Sequence, residues 1–308
     1  MDATMAIKFK LGTRGSPLAL TQANMVRDAL CARHGWPVDA IELVVIRTTG
    51  DRVQDRALAE IGGKALWTKE LDRALLDREI DASVHSMKDV ETLRPEALVI
   101  AAMLPRADVR DRLIGADAID ALPHGAVVGT SSPRRRAQLL RLRPDLSIVL
   151  FRGNVDTRLA KLAAGEADAT LLAAAGLDRL GRDTIGHAIP TDVMLPAPAQ
   201  GAVGIEVRSA DAAAQAIVGA IDDDVTSRCV RAERALLAAL RADCHSPVAA
   251  LASAAGATLS LRAELLAEDG SAFVDGHAEG LIGEAIAAGL AGDLLSRAPD
   301  PVRRLFGG

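Results

Sequence analysis

Aromatic residues are nearly missing from this 308-residue chain, which has no Tyr, two Trp and four Phe. Proteins that grip single-stranded nucleic acid stack its bases on aromatic faces, so a platform of that kind is excluded. Cysteine is scarce too: Cys31, Cys229 and Cys244 are odd in number, widely spaced and form no CxxC pair. Neither a disulfide framework nor a thiolate metal site is expected from them. The histidines show no pair at metal-ligand spacing, so no metal is expected. Positive charge is not in surplus: 36 Lys and Arg face 41 Asp and Glu, a net charge of −5, which argues against a general nucleic-acid binder. Long apolar runs are missing as well. The start, MDATMAIKFKLG, is too polar for a signal peptide, and the longest uncharged stretch, Cys244 to Leu261, carries His, Pro, Gly and Ser that suit lipid poorly. A cytoplasmic protein with no membrane contact is expected. What is present is ordinary globular composition, 49% hydrophobic and 25% charged, on a chain long enough for two or three cores.

Strand and helix signals alternate through the first two thirds. Ile7, Phe9 and Leu11 alternate with Lys8 and Lys10, a half-buried strand, and Ser16-Pro17 then opens a helix as N-cap and first helical residue. Further strands are expected at 41–47, 97–103, 126–129, 147–151 and 202–207, with helices between most of them, including 66–77 and 133–142. That alternation predicts α/β lobes with largely buried sheets. Two echoes suggest that the lobes are related: Gly12-Thr13-Arg14-Gly15-Ser16-Pro17 is answered by Gly129-Thr130-Ser131-Ser132-Pro133, and Glu79–Val84 by Glu166–Leu171. After Asp222-Asp223-Asp224 the texture changes. A helix over about 226–240, three strands with turns at Gly256 and Asp269-Gly270, and a small-residue helix over 281–297 read as a separate α+β domain. Cys244 falls on the loop between its first helix and first strand.

Each Gly-Thr…Ser-Pro turn sets the N–H groups of a helix start at the end of a strand, a ready anion site. Arg134-Arg135-Arg136 follow the second turn at once. Cations there oppose the helix dipole at about 0.3–1 kcal/mol each, which suggests positive potential wanted at that spot, although a solvated basic face is the plain alternative. Arg141, Arg143, Arg152, Arg158 and Lys161 add charge nearby, so an anionic substrate is expected. The second echo separates the lobes. His85-Ser86-Met87-Lys88-Asp89 ends one strand, where its counterpart has Leu172-Ala173-Ala174-Ala175-Gly176. Lys88 and Asp89 are therefore candidates for chemistry, with a surface ion pair as the alternative. Gly62-Gly63-Lys64 reads as a loop able to cover a cleft. Cys244, in Ala242-Asp243-Cys244-His245-Ser246-Pro247, is either an ordinary loop thiol or an attachment site.

The motifs TRGSPLALTQA, GGKALWTKEL, DASVHSMKDV, GTSSPRRRAQL, FRGNVDTRL, LAAAGLDRLG, LPAPAQGAVGIE and AERALL…CHSPV, in this order, resemble the porphobilinogen deaminase family over essentially the full length. The resemblance implies two lobes like type II periplasmic binding proteins plus a C-terminal α+β domain. The implied boundaries are 1–104 with 202–222 for a discontinuous first lobe, 105–201 for the second, and 223–308 for the third domain. It implies a monomeric transferase that joins four porphobilinogen molecules into hydroxymethylbilane, releasing ammonia. The chain grows on a dipyrromethane cofactor held by a thioether, which the motif puts at Cys244. It assigns catalysis to Asp89 and Lys88. Lys88, Asp89, Thr130, Ser132, Arg134 and Arg135 would hold the cofactor. Arg14, Ser16, Gln22, Lys64, Arg152, Arg158, Arg179 and Gln200 would bind the substrate and the growing linear pyrrole chain.

A physical reason accompanies the aspartate. Loss of ammonia leaves an electron-poor azafulvene that is cationic when protonated, and a carboxylate about 4 Å away is worth about 4 kcal/mol at an effective dielectric of 20, near a thousandfold in rate. The sequence departs from the family pattern at Glu60 (commonly Lys), Trp67 (usually Phe), Glu91 (frequently Pro), Ala199 (usually Gly) and Ala242-Asp243 (Gly expected before the cysteine). Asp243 is expected to add bulk and charge beside the thioether. A non-catalytic two-lobed binding protein for a carboxylated small molecule is the alternative. It would use the anion sites but would have no need of Asp89 or a modified cysteine.

Overall fold

The computed structural model describes residues 9–46 and 68–306. Gly62-Gly63-Lys64, Glu60 and Trp67 lie outside the described residues. The chain divides into two compact units, Met1–Arg106 with Ala202–Ser227, and Ala107–Gly201 with Arg228–Gly308.

In the first unit, β1 (Phe9–Arg14) leads into α1 (Pro17–His34), then β2 (Ile41–Ile46), α2 (Lys69–Leu76), β3 (Ala82–Ser86) and β4 (Leu98–Met103). The second unit begins with β5 (Asp111–Ile114), β6 (Val127–Gly129), α3 (Pro133–Leu142), β7 (Ser147–Val149), α4 (Val155–Ala163), β8 (Ala169–Ala173), α5 (Ala174–Arg179) and β9 (His187–Ala188). The chain returns to the first unit as β10 (Val203–Arg208) and α6 (Ala212–Gly219). After α7 (Asp224–Ala239) come β11 (Val248–Ala255), β12 (Thr258–Leu266), β13 (Phe273–Gly280), α8 (Gly283–Arg297) and α9 (Asp300–Arg303). The predicted N-cap forms, and a second matches it: Ser16 Oγ accepts from the Ala19 N–H at 3.3 Å, and Ser132 Oγ from Arg135 N–H at 3.4 Å, each with Pro in the first turn.

The two five-stranded sheets share one plan. Their orders are β2-β1-β3-β10-β4 and β7-β6-β8-β5-β9. In each, the first three strands are parallel and the fourth runs antiparallel to both neighbours. The sequence echo thus reflects a shared topology. Strand β5 has no sequence signal of its own, because Asp111-Arg112-Leu113-Ile114 puts two charges in four residues. All six residues of β10 are buried, as befits a strand enclosed on both faces. One core joins Leu11, Val26, Leu30, Val84, Ile205 and Val207. A second joins Leu113, Val128, Leu139 and Leu171.

The segment after α7 builds its own core from Leu236, Leu240, Leu261, Leu265, Leu294 and Phe306. Within the second unit this antiparallel sheet packs close to α3. Gly270, at φ 71°, sits where a Cβ would meet the Ala137 oxygen at 2.7 Å and the Arg141 nitrogen at 2.5 Å, so only glycine fits the turn.

Among the helices that end with a six-to-one closure are α1, α2 and α7. Trp36 N–H reaches Cys31 O at 3.0 Å, Glu79 N–H reaches Ala74 O at 2.9 Å, and Ala242 N–H reaches Leu237 O at 2.8 Å. The residue before each donor is left-handed: Gly35 at φ 67°, Arg78 at 58° and Arg241 at 52°. Glycine adopts that conformation freely, whereas other L-residues pay about 1 kcal/mol or more. Arg78 and Arg241 are exposed. Arg78→Gly and Arg241→Gly are each expected to raise stability by about 1 kcal/mol in urea titrations at unchanged m-value.

Candidate active site

Strands β1 and β3 are parallel neighbours, so their C-terminal ends lie side by side. The first end carries Arg14 and Ser16, and the second carries Ser86 and the single 3₁₀ turn Met87–Asp89. These ends and the first turns of α1 enclose a pocket lined by Arg14, Ser16, Gln22, His85, Ser86 and Asp89 among others. Gln22 is buried and donates Nε2–H to Ser86 Oγ at 2.8 Å, which ties α1 to the end of β3. The turn that carries Lys88 and Asp89 is anchored by Met87, whose N–H donates to Ala202 O at 3.1 Å. Gly204 lets the Met87 side chain come close, since a Cβ there would stand 2.1 Å from the sulfur.

Behind the pocket lies a buried ionic group. Glu206 on β10 is fully buried, with Oε2 3.1 Å from His85 Nε2 and Oε1 accepting from Arg94 Nε at 2.8 Å. Ser83 Oγ also lies 2.9 Å from His85 Nε2. Burial alone would raise the Glu206 carboxyl, but hydrogen bonding and charge from His85 and Arg94 outweigh it and bring its pKa to about 2.

In the second unit the anion turn at the end of β6 is built as the sequence predicts. Thr130 N–H donates to Val149 O at 2.9 Å, and Thr130 Oγ1 accepts from Ser132 N–H at 3.2 Å. The arginines after it do something else. Only Arg136 is exposed; Arg134 and Arg135 are buried, each donating to Asp111 on β5 at 2.7 Å. Arg134 also reaches Gln138 Oε1 and Leu195 O, and Arg135 reaches Leu171 O. Burial would raise the Asp111 carboxyl, yet the two guanidiniums hold it well below the usual carboxylate range. The alternative of a solvated basic face thus fails for Arg134 and Arg135, and the positive charge is held as one solvated arginine and a buried Arg–Asp–Arg triad of net +1. Gln200 joins the triad, its Nε2 donating to Asp111 Oδ1 at 2.9 Å and to Val109 O at 2.7 Å.

The other basic residues divide. Arg143 pairs with Asp145 and closes onto the Ile119 and Leu122 carbonyls, and Lys161 pairs with Glu166, so both serve local structure. Arg158 donates to Gly153 O at 3.0 Å and lies 3.5 Å from Ser131 Oγ, beside the anion turn. Arg179 donates to Gly201 O at 2.7 Å, and burial lowers its pKa. Among the described residues, seven buried guanidinium nitrogens lack a well-aligned hydrogen bond, and four of them belong to Arg134, Arg135, Arg152 and Arg179. Cys244 is exposed on the loop between α7 and β11 and is in no disulfide. Asp243 turns onto that loop: its Oδ1 accepts from His245 N–H at 2.9 Å, and its own N–H donates to Ser246 Oγ at 3.1 Å. Its carboxylate thus acts as a turn former.

Local sequence had marked Asp89, Lys88 and the turns but not His85 or Ser86, which sit in the same HSMKD motif. Glu206, Arg94 and Asp111 gave no local signal at all.

The fold and site define an α/β protein with a carboxylate at one strand end and guanidinium donors at another. The family model for "Porphobilinogen deaminase, dipyromethane cofactor binding domain" matches residues 9–216, and that for the "Porphobilinogen deaminase, C-terminal domain" matches 227–293. A porphobilinogen deaminase of Sphingopyxis alaskensis is 58% identical over 99% of this chain and 98% of its own length. One of Paracoccus denitrificans is 53% identical over 94% and 95%. The chain belongs to the porphobilinogen deaminase family. Among solved structures it is similar to a periplasmic substrate-binding protein of an ABC transporter from Coxiella burnetii, at 14% identity over 71% of this chain and 94% of that one, TM-score 0.41. No described helix is long and apolar enough to cross a membrane.

The Glu206 carboxyl has a folded pKa below its ordinary 4.5. Its stabilisation is fully present above about pH 4.5 and is lost as pH falls towards 2, by roughly 3 kcal/mol. Urea titrations stepped from pH 5 to pH 2 should show stability falling less steeply in Glu206→Gln than in the parent chain. Parallel curves would remove Glu206 from the acid transition.

Proposed function

We propose that this protein is a hydroxymethylbilane synthase. It deaminates porphobilinogen and joins four molecules head to tail into hydroxymethylbilane, for tetrapyrrole biosynthesis. The observation that carries the reading is Asp89 in a pocket with Arg14, Ser16 and Gln22, on a chain 58% identical to a porphobilinogen deaminase. The dipyrromethane cofactor, joined by a thioether to Cys244, supplies when bound the pyrrole end to which the first substrate is added.

Asp89 stabilises positive charge that develops as ammonia leaves, and it exchanges protons with the leaving amine and the pyrrole nitrogen. Lys88 holds a substrate or cofactor carboxylate beside it. Arg14, Ser16, Gln22 and Lys64 bind substrate from the first lobe. Thr130, Ser132, Arg134 and Arg135 hold the cofactor, and Arg152, Arg158, Arg179 and Gln200 bind the lengthening chain. Each porphobilinogen brings an acetate and a propionate, so six linked rings bring twelve carboxylates. The number of arginines accords with that load. Three domains accompany this reading, 1–104 with 202–222, 105–201 and 223–308. The enzyme works as a monomer in the cytoplasm, with no nucleic-acid or membrane partner.

Intact mass spectrometry of protein made in a porphobilinogen-supplied host tests the reading. The expected mass exceeds that of the sequence by two condensed pyrrole units, and the excess disappears in Cys244→Ser. A folded parent protein at its bare sequence mass would sink the assignment.

A further inference from the structure

Arg94 lies behind the Asp89 pocket and meets more acid than one guanidinium can neutralise. Its side chain is 9% exposed, and it bonds Glu206 on β10, Asp72 on α2 and Glu91 just past the Asp89 turn. The contacts are 2.8 and 2.9 Å to the two Glu206 oxygens and 2.5 Å to Asp72 Oδ1, with Glu91 Oε2 taken by Nη1. Burial raises the Asp72 carboxyl, and the nearby Glu206 charge adds to the rise. Three carboxylates around one arginine are not an arrangement that stability alone would favour.

The geometry suggests what the third carboxylate does. Thr68 opens α2 as its N-cap residue, yet its hydroxyl does not cap the helix. It donates to Glu91 instead, 2.9 and 2.8 Å from the two oxygens, and Arg94 Nη1 lies 3.3 Å from the same hydroxyl. Thr68 and Val90 both line the pocket that holds Asp89. Glu91 is two residues beyond Asp89, and the turn before it is closed by Val90 N–H donating to Met87 O at 3.3 Å. On one side the turn is tied through Met87, and on the other side Glu91 supplies a tie.

We propose that Glu91 and Arg94 are positioning residues for Asp89: the Glu91–Arg94–Thr68 clasp fixes the chain just after the turn and so sets where the Asp89 carboxylate stands. This rests on the function proposed for Asp89 above. Glu91 stands where the family resemblance predicts proline, and the backbone before it already has the conformation that precedes a proline. Val90 lies at φ −88°, ψ 132°, the region to which a following proline confines a residue. A proline at 91 would hold the turn through the main chain, with no carboxylate.

Glu91 is the cleaner residue to change, since without it Arg94 keeps Glu206 and Asp72. Two variants of the cofactor-loaded protein, Glu91→Ala and Glu91→Pro, are compared with the parent by hydrogen exchange at the Val90 amide and by steady-state kinetics. In Glu91→Ala, Val90 exchange is expected to quicken about tenfold and kcat to fall about tenfold, with KM within twofold. Glu91→Pro is expected to restore most of kcat and to return Val90 exchange towards the parent rate. Parent-like exchange and kcat in Glu91→Ala would overturn the proposal, and so would a Glu91→Pro enzyme no faster than Glu91→Ala. If the parent itself does not turn over porphobilinogen, the proposed function fails, and the exchange rates still decide whether the clasp holds the turn.

Discussion

Each α/β sheet carries a buried carboxylate on its one antiparallel inner strand, and the surrounding structure is arranged to neutralise it. In the first unit this is Glu206 on β10, met by Arg94 and His85; in the second it is Asp111 on β5, met by Arg134 and Arg135. A lone carboxylate in such a place would cost several kcal/mol, so the partner arginines are obligatory once the acid is buried. Hydrophobic residues of the same volume would stabilise at least as well. What the ion groups add is orientation. They fix guanidinium and imidazole groups at the strand ends, where the two anion turns and the Asp89 turn also lie.

That constraint explains how an acidic chain can handle an acidic substrate. The net charge of −5 describes the surface as a whole and says little about a strand end. In the second unit one acid pairs with two arginines, leaving net positive charge close to the turn. In the first unit three acids share Arg94, and the negative surplus lies behind a pocket whose own acid is Asp89. The duplicated fold thus carries opposite electrostatics in its two copies.

Much of this was legible in the sequence where the signal is local. Ser16-Pro17 and Ser132-Pro133 announced their helices because capping involves residues three apart. The paired echoes announced two sheets of one plan, and Lys88-Asp89 stood out against Ala175-Gly176. Strand β5 was not legible, since its burial is imposed by β8 and β9 and its own residues are half charged. The fate of Arg134 and Arg135 depends on an acid 23 and 24 residues away, and that of His85 on one 121 residues away. No local pattern encodes those distances. Asp243 and Glu91 read as departures from the family, and their meaning came only from what they touch.

The central claim is that the Asp89 carboxylate carries the chemistry while its neighbours bind and orient. Single-turnover release of ammonia from cofactor-loaded Asp89→Asn tests it most directly. The account predicts porphobilinogen binding within a few-fold of the parent and a release step slower by about a thousandfold, the worth of one carboxylate near the developing cation. Release within tenfold of the parent rate would contradict it.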